Sequence, residues 1–278
     1  MDGNSSPNLA CVYSLLRLIE EHYDQEISVR QLEDTAHYSY RNVQRIFKYT
    51  CGETIGAYQK RLRVENAYKL LLYTNDTITA IALQVGFANL ASFSKAFKQQ
   101  FNCAPQEARS NKTQLFTEGS IHPVESDTPL QPEIIYLPRV QVFYETAFIP
   151  YENDQIEKLW ERFAQNEFPG NETVYYGIIA DEPLITEELK CRYDACASTQ
   201  ALNRELPSKT ILGGRYARFI HPGTYETIDA TYQRIYAGWM LETDLEFDHT
   251  PIVEQYMRHA DNPESVEDQL TGILLPLK

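Results

Sequence analysis

The apolar residues of this chain keep one period from Leu9 to Arg109 and then change to another. In the first stretch they recur at three and four positions: Leu15, Leu18 and Ile19; Val43, Ile46 and Phe47; Ile78, Ile81, Ala82 and Val85; Phe93 and Phe97. That spacing puts them on single faces of helices and predicts an all-α half over residues 9–109. Ser28, Ser39 and Thr77 stand where helices would start, and Gly52 and Gly86 where they would end. Residues 110–133 are rich in Ser, Asn, Thr and Pro without periodicity and read as a linker. Beyond it Val140, Val142, Tyr144 and Thr146 alternate with Arg139, Gln141, Phe143 and Glu145, the two-residue period of a strand. A helix through Ile156, Leu159, Trp160 and Phe163 and strands at 174–180 and 190–197 follow. The same β-α-β-β order recurs from Ile211, with a helix through Ile228, Tyr232, Ile235, Tyr236 and Trp239. The fold class is α plus α+β, the second domain, residues 134–278, being a duplicated unit with its helices on one side of a sheet.

The formal net charge of −14 hides an asymmetry. Residues 1–112 carry 13 Lys and Arg against 11 Asp and Glu, whereas residues 113–278 carry 12 against 28. The first half can hold a local basic face, and the second will repel phosphate and attract cations. Met1 to Asn8 has neither a basic nor an apolar leader segment, and no apolar run approaches membrane-spanning length, so a cytoplasmic protein is expected. Five cysteines without a C-x-x-C pair argue for reduced thiols, and the histidines show no metal spacing. Neither a cofactor nor a metal is expected.

Residues 29–48 read as a short helix, a turn at His37 and Tyr38, and a second helix: helix-turn-helix spacing. With Val43, Ile46 and Phe47 inward, Arg41, Asn42, Gln44, Arg45 and Lys48 face outward. A second such pair spans residues 79–100 and exposes Asn89, Ser92, Lys95 and Lys98. Arg can bond guanine O6 and N7 bidentately and Gln can address adenine, which makes Arg45 and Gln44 the leading base readers. Leu90 and Ala91 on the second helix suit thymine methyl or backbone contacts instead. Gly52, Tyr58, Arg63, Ala67, Leu71, Ile81-Ala82, Val85-Gly86-Phe87, Phe93, Phe97-Lys98 and Pro105 resemble the AraC/XylS DNA-binding domain. The resemblance implies seven helices, two helix-turn-helix units joined by a long helix, double-stranded promoter DNA as partner, and activation through RNA polymerase. Asn102 replaces the family's usual Gly and Ala108 its usual Tyr.

The acidic half holds 11 of the 19 tyrosines and both tryptophans. Arg192-Tyr193-Asp194-Ala195-Cys196, Gly213-Gly214-Arg215-Tyr216-Ala217, His221-Pro222-Gly223-Thr224-Tyr225, Glu254-Gln255-Tyr256 and Leu274-Leu275-Pro276 are similar to the GyrI-like domain. That resemblance implies a small-molecule groove between two helices, with aromatic rings around a central carboxylate. By position the carboxylate is Glu254, and Tyr144, Trp160, Tyr225 and Trp239 are the ring candidates for a cationic or amphipathic effector. Trp160 and Trp239 also lie on helical stripes that a core would bury. Two alternatives stay open: an acidic domain that binds a protein partner, and a hydrolase of the GyrI-like kind tethered to a DNA-binding domain. No P-loop, HExxH or nucleophile elbow is present in the sequence, so no catalytic residue is assigned.

Overall fold

The computed structural model describes residues 7–118, 130–151, 153–166, 168, 173–199, 206–258 and 269–278. They form two compact units, Met1–Arg109 and Ser110–Lys278. In the first unit the helices are α1 (Pro7–Glu21), α2 (Val29–Ala36), α3 (Tyr40–Cys51), α4 (Ile55–Tyr73), α5 (Ile78–Gln84), α6 (Leu90–Phe101) and α7 (Pro105–Ser110). The α2/α3 and α5/α6 pairs sit where the spacing predicted them. A capping box starts α2: Ser28 accepts from the Gln31 amide while Gln31 Oε1 accepts from the Ser28 amide. Ser39 stands at the start of α3, as the spacing predicted, but its side chain makes no cap hydrogen bond. The Tyr40 amide donates instead to Glu33 Oε1 at 2.7 Å, across the turn that His37 makes with φ +56°.

The long helix α4 is the spine of this unit. Its Tyr58 packs edge-on against Phe47 of α3, and its Val64, Ala67, Leu70 and Leu71 share a core with Ile81, Val85, Phe93 and Phe97 of the second pair. Arg63 donates to the carbonyls of Tyr23, Gln25 and Gly86, and Gln59 Nε2 donates to those of Tyr23 and Gln25. Asn102 ends α6 at φ +57°, and its amide donates to the Lys98 carbonyl. Asn tolerates that left-handed geometry, which accounts for its standing in place of Gly. Ala108 is buried in the second core.

The second unit contains α8 (Lys112–Glu118), β1 (Glu133–Leu137), β2 (Val140–Phe148), α9 (Asn153–Phe163), β3 (Val174–Ile179), β4 (Arg192–Ser198), β5 (Ser208–Ile211), β6 (Gly214–Pro222), α10 (Ile228–Arg234), α11 (Met240–Glu242), β7 (Ile252–Arg258) and β8 (Leu270–Pro276). A π-turn, Ile235–Trp239, joins α10 to α11. The strands pair antiparallel in the order β1-β6-β8-β7-β3-β4-β2-β5, the same read from either end once the two strand sets are exchanged. The segment expected to be a bare linker therefore contains a helix, α8, and the edge strand β1 begins at its last residue, while residues 119–129 of it lie outside the described residues. The strand expected from Ile211 is broken in two: a Cβ on Gly213 would stand 2.9 Å from the Arg139 amide nitrogen, so the β1–β2 turn passes too close for any other residue.

Alternation divides the sheet's side chains between two buried layers. Glu254, Tyr256, Tyr175, Tyr193 and Phe219 face α9 and α10. On the opposite face Val142, Tyr144, Tyr176, Ile178, Val253 and Leu274 form an apolar cluster closed by Leu137 of β1 and Ile211 of β5.

Candidate functional site

In the helical unit Arg41, Asn42, Gln44, Arg45 and Lys48 are exposed along α3, opposite the buried Val43, Ile46 and Phe47. On the second pair Lys95 and Lys98 are exposed. Asn89 and Ser92 are exposed as well but serve the helix start: Asn89 Oδ1 accepts from the Ser92 amide at 2.8 Å, and the Ser92 hydroxyl donates to the Asn89 carbonyl at 2.9 Å. Leu90 stands exposed at the first position of α6.

In the sheet unit Glu254 is wholly buried near the middle of the sheet, on β7 between β3 and β8. Four tyrosines surround it. Tyr193 donates to Oε2 at 2.7 Å and Tyr256 to Oε2 at 3.1 Å; Tyr232 donates to Oε1 at 2.8 Å and Tyr225 to Oε1 at 3.3 Å. The Tyr193 and Tyr256 hydroxyls are themselves 2.7 Å apart. Burial pushes the Glu254 carboxyl above its ordinary value, and the four hydroxyls pull it back down by stabilising the anion. Burial first, and then the nearby carboxylate, pushes Tyr193, Tyr225, Tyr232 and Tyr256 well above the usual tyrosine range, so these groups are donors.

Gly177 lies directly across from Glu254 in the β3–β7 register. A Cβ there would stand 1.9 Å from the Tyr193 hydroxyl and 2.8 Å from Glu254 Oε2. The missing side chain is what lets Tyr193 reach the carboxylate from β4. Gly177→Ala is expected to expel that hydroxyl and lower stability by about 1–3 kcal/mol, the usual range for overpacking a tight interior. Thermal denaturation of the full chain measures this, and an unshifted melting temperature would refute it.

Beside the tyrosines opens a cavity of about 570 Å³. Rings of Trp160, Tyr175, Tyr225 and Tyr256 line it, together with Glu157, Glu161 and Glu226. Trp160 meets Tyr256 edge-on at 5.2 Å, and Tyr225 lies 6.4 Å from the same ring. Tyr225 and Tyr256 join this space to Glu254, lining it while their hydroxyls donate to the carboxyl group. The chain thus sets a buried carboxyl group, each oxygen bonded to two tyrosine hydroxyls, beside an acidic aromatic pocket. Among the described residues there is no cluster of His, Cys, Asp and Glu able to hold a metal ion, and no helix long and apolar enough to cross a membrane.

Residues 130–278 match the GyrI-like small molecule binding domain, and residues 32–111 match a helix-turn-helix domain. The chain belongs to the GyrI-like family. It carries an AraC-type helix-turn-helix domain in front of its GyrI-like domain. It is 32% identical over 105 residues to the HTH-type transcriptional activator RhaS of Enterobacter sp. (strain 638), a match covering 38% of each chain. To the transcriptional regulator Rob of Salmonella typhimurium it is 37% identical over 94 residues, 34% of this chain and 32% of that one. The chain thus spans between about a third and two fifths of the length of these curated relatives. Among solved structures, an AraC-type transcriptional regulator from Chromobacterium violaceum matches at 28% identity and TM-score 0.35, over 36% of this chain and 90% of that one. The EcmrR C-terminal domain matches at 14% identity and TM-score 0.45, over 54% and 99%.

Within the GyrI-like domain two of the four ring candidates are elsewhere. Tyr144 lies in the apolar cluster on the far face of the sheet, with the Lys209 ammonium 4.6 Å over its ring. Trp239, half-buried, packs edge-on against Phe219 and Phe247 at 4.9 and 5.6 Å. Tyr225 and Trp160 are at the site. Tyr193, Tyr232, Tyr256 and Gly177 were not singled out from the sequence. Tyr256 had a usable signal, because it is two residues from Glu254 on one strand and so shares its face.

Proposed function

We propose that the chain is a transcription regulator that binds double-stranded promoter DNA through α3 and α6 and senses a lipophilic cation at Glu254. The observation that carries the sensing half is the buried carboxylate with four hydroxyl donors behind the aromatic cavity. An anion so preorganised attracts a cation that can replace part of its hydrogen-bond shell, while the rings supply apolar and cation–π contact. Glu157, Glu161 and Glu226 at the cavity add attraction of the same sign. A catalytic role fits less well, since each Glu254 oxygen already accepts two hydroxyl protons, which leaves it a poor base for activating water. The palindromic strand order supports reading β2-α9-β3-β4 and β6-α10-β7-β8 as two copies of one unit, with the ligand near their shared axis.

On the DNA side, the exposed Arg41, Gln44, Arg45 and Lys48 on one helix face, repeated by Lys95 and Lys98 on the second pair, support two successive major-groove contacts by one chain. Activation through RNA polymerase in the cytoplasm is the mode proposed. Sites selected from random duplexes by the full chain provide the test. On the selected site Arg45→Ala is expected to weaken binding by about 10- to 100-fold and to relax preference at one base pair. Lys98→Ala is expected to weaken all sequences alike and to flatten the salt dependence. Equal affinity of Arg45→Ala for selected and scrambled duplexes at the wild-type level would remove α3 as the reading helix.

A further inference from the structure

One line of contacts leads out of the Glu254 site and ends on α8. Tyr232, whose hydroxyl holds Glu254 Oε1, stacks on Tyr236 with centroids 6.5 Å apart and planes at 26°. Tyr236 donates from its hydroxyl to the buried Glu182 at 2.9 Å, and the edge of its ring contact is Phe116, 5.2 Å away at 73°. Phe116 is 4% exposed, the one residue that α8 buries among those whose side chains are described. Lys112 lies over the same ring at 5.5 Å.

Two features suit this line to carrying a change of state. A helix of seven residues does not hold its shape alone, because nucleation fixes several residues for each hydrogen bond gained. The order of α8 therefore depends on Phe116 staying docked. Tyr236 sits in the π-turn Ile235–Trp239, a wide turn with poorer backbone geometry than an α-helix and so the easiest place in this segment for a register change. A ligand that takes a share of Glu254 must loosen Tyr232, and in a close-packed interior the neighbouring ring has to follow.

We propose that the state of the Glu254 site is transmitted through Tyr232 and Tyr236 to Phe116, so that α8 docks or releases according to that state. Since α8 begins at Lys112, just beyond the end of α7 at Ser110, its release frees those seven residues between α7 and the sheet. This inference rests on the sensing role proposed for Glu254. The test is hydrogen exchange of the full chain without added ligand, read as the rate of the amides at 115–117 relative to those at 271–275 in β8. Taking the ratio removes any global loss of stability. Tyr232→Phe, which alters the site and no atom of α8, is expected to raise that ratio at least about fivefold, as a local opening does. Phe116→Ala should raise it further. An unchanged ratio in Tyr232→Phe overturns the relay. Because no ligand is present, that result is independent of whether Glu254 takes a cation, which the Gln substitution at 254 decides separately.

Discussion

Glu254→Gln is expected to weaken binding of a lipophilic cation such as tetraphenylphosphonium by about 30- to 1,000-fold, the ~2–4 kcal/mol typical when one partner of a buried charge pair is removed. Gln fits the same space and keeps one accepting oxygen, while its amide nitrogen faces two of the four tyrosine hydroxyls, so the change removes the charge at nearly constant shape. The same group sets a pH dependence. Burial raises the Glu254 carboxyl above its ordinary 4.5 more than the four hydroxyls lower it. A raised folded value means that its stabilising contribution is fully present below about the unfolded value and is lost as pH rises through the folded one. The Gln variant should therefore gain on the wild type in melting temperature between acid and neutral pH. Cation affinity should move the opposite way, tightening with pH as the carboxylate forms. Thermal melting of both proteins at several pH values tests the first, and isothermal titration over the same range tests the second. Equal affinity in the two proteins, with a flat pH profile, would remove Glu254 from ligand recognition.

How far this site was legible depends on what sets each residue's direction. Helix faces follow from spacing alone, which is why Arg41, Gln44, Arg45 and Lys48 could be read as outward from the burial of Val43, Ile46 and Phe47. Directions within one strand follow equally well, so Tyr256 belongs with Glu254. Directions between strands need register. Tyr144 pairs with Cys196, Cys196 with Tyr176, and Tyr176 with Gln255. That row ends one residue from Glu254 and so on the opposite face. No periodicity in β2 carries this information, since it comes from three successive pairings. Tyr193 was hidden for a related reason: it reaches Glu254 only because β3 has Gly177 between them. The elements missed outright, α8 and β1, are short, and β1 lies between Pro132 and Pro138 with most of its side chains exposed or half-buried, which leaves no clean alternation to detect.

The helical unit offers a sharper test of what its spine does. Gly86→Ala is expected to lower its stability by about 2–5 kcal/mol, the sum of ~1–2 for a left-handed backbone and ~1–3 for overpacking. For a unit of this size that corresponds to a fall of roughly 10–30 °C in melting temperature. Gly86 has φ +85°, and a Cβ would stand 2.0 Å from the carbonyl oxygen of Asp24 and 2.6 Å from its carbon. That backbone has little room to yield, because Gln59 and Arg63 of α4 grip the carbonyls on either side of Asp24, and Arg63 grips Gly86 as well. Gly52 supplies the control. Its φ of +74° is similar, but nothing lies within 4 Å of an added Cβ, so Gly52→Ala carries the backbone contribution alone. The gap between the two variants measures the clash, and with it how rigidly α4 ties the second helix-turn-helix pair to the loop after α1. Melting of Gly86→Ala within about 2 °C of Gly52→Ala, less than ~1 kcal/mol apart, would show that this junction gives way freely and that the two pairs are not held in fixed register on the spine.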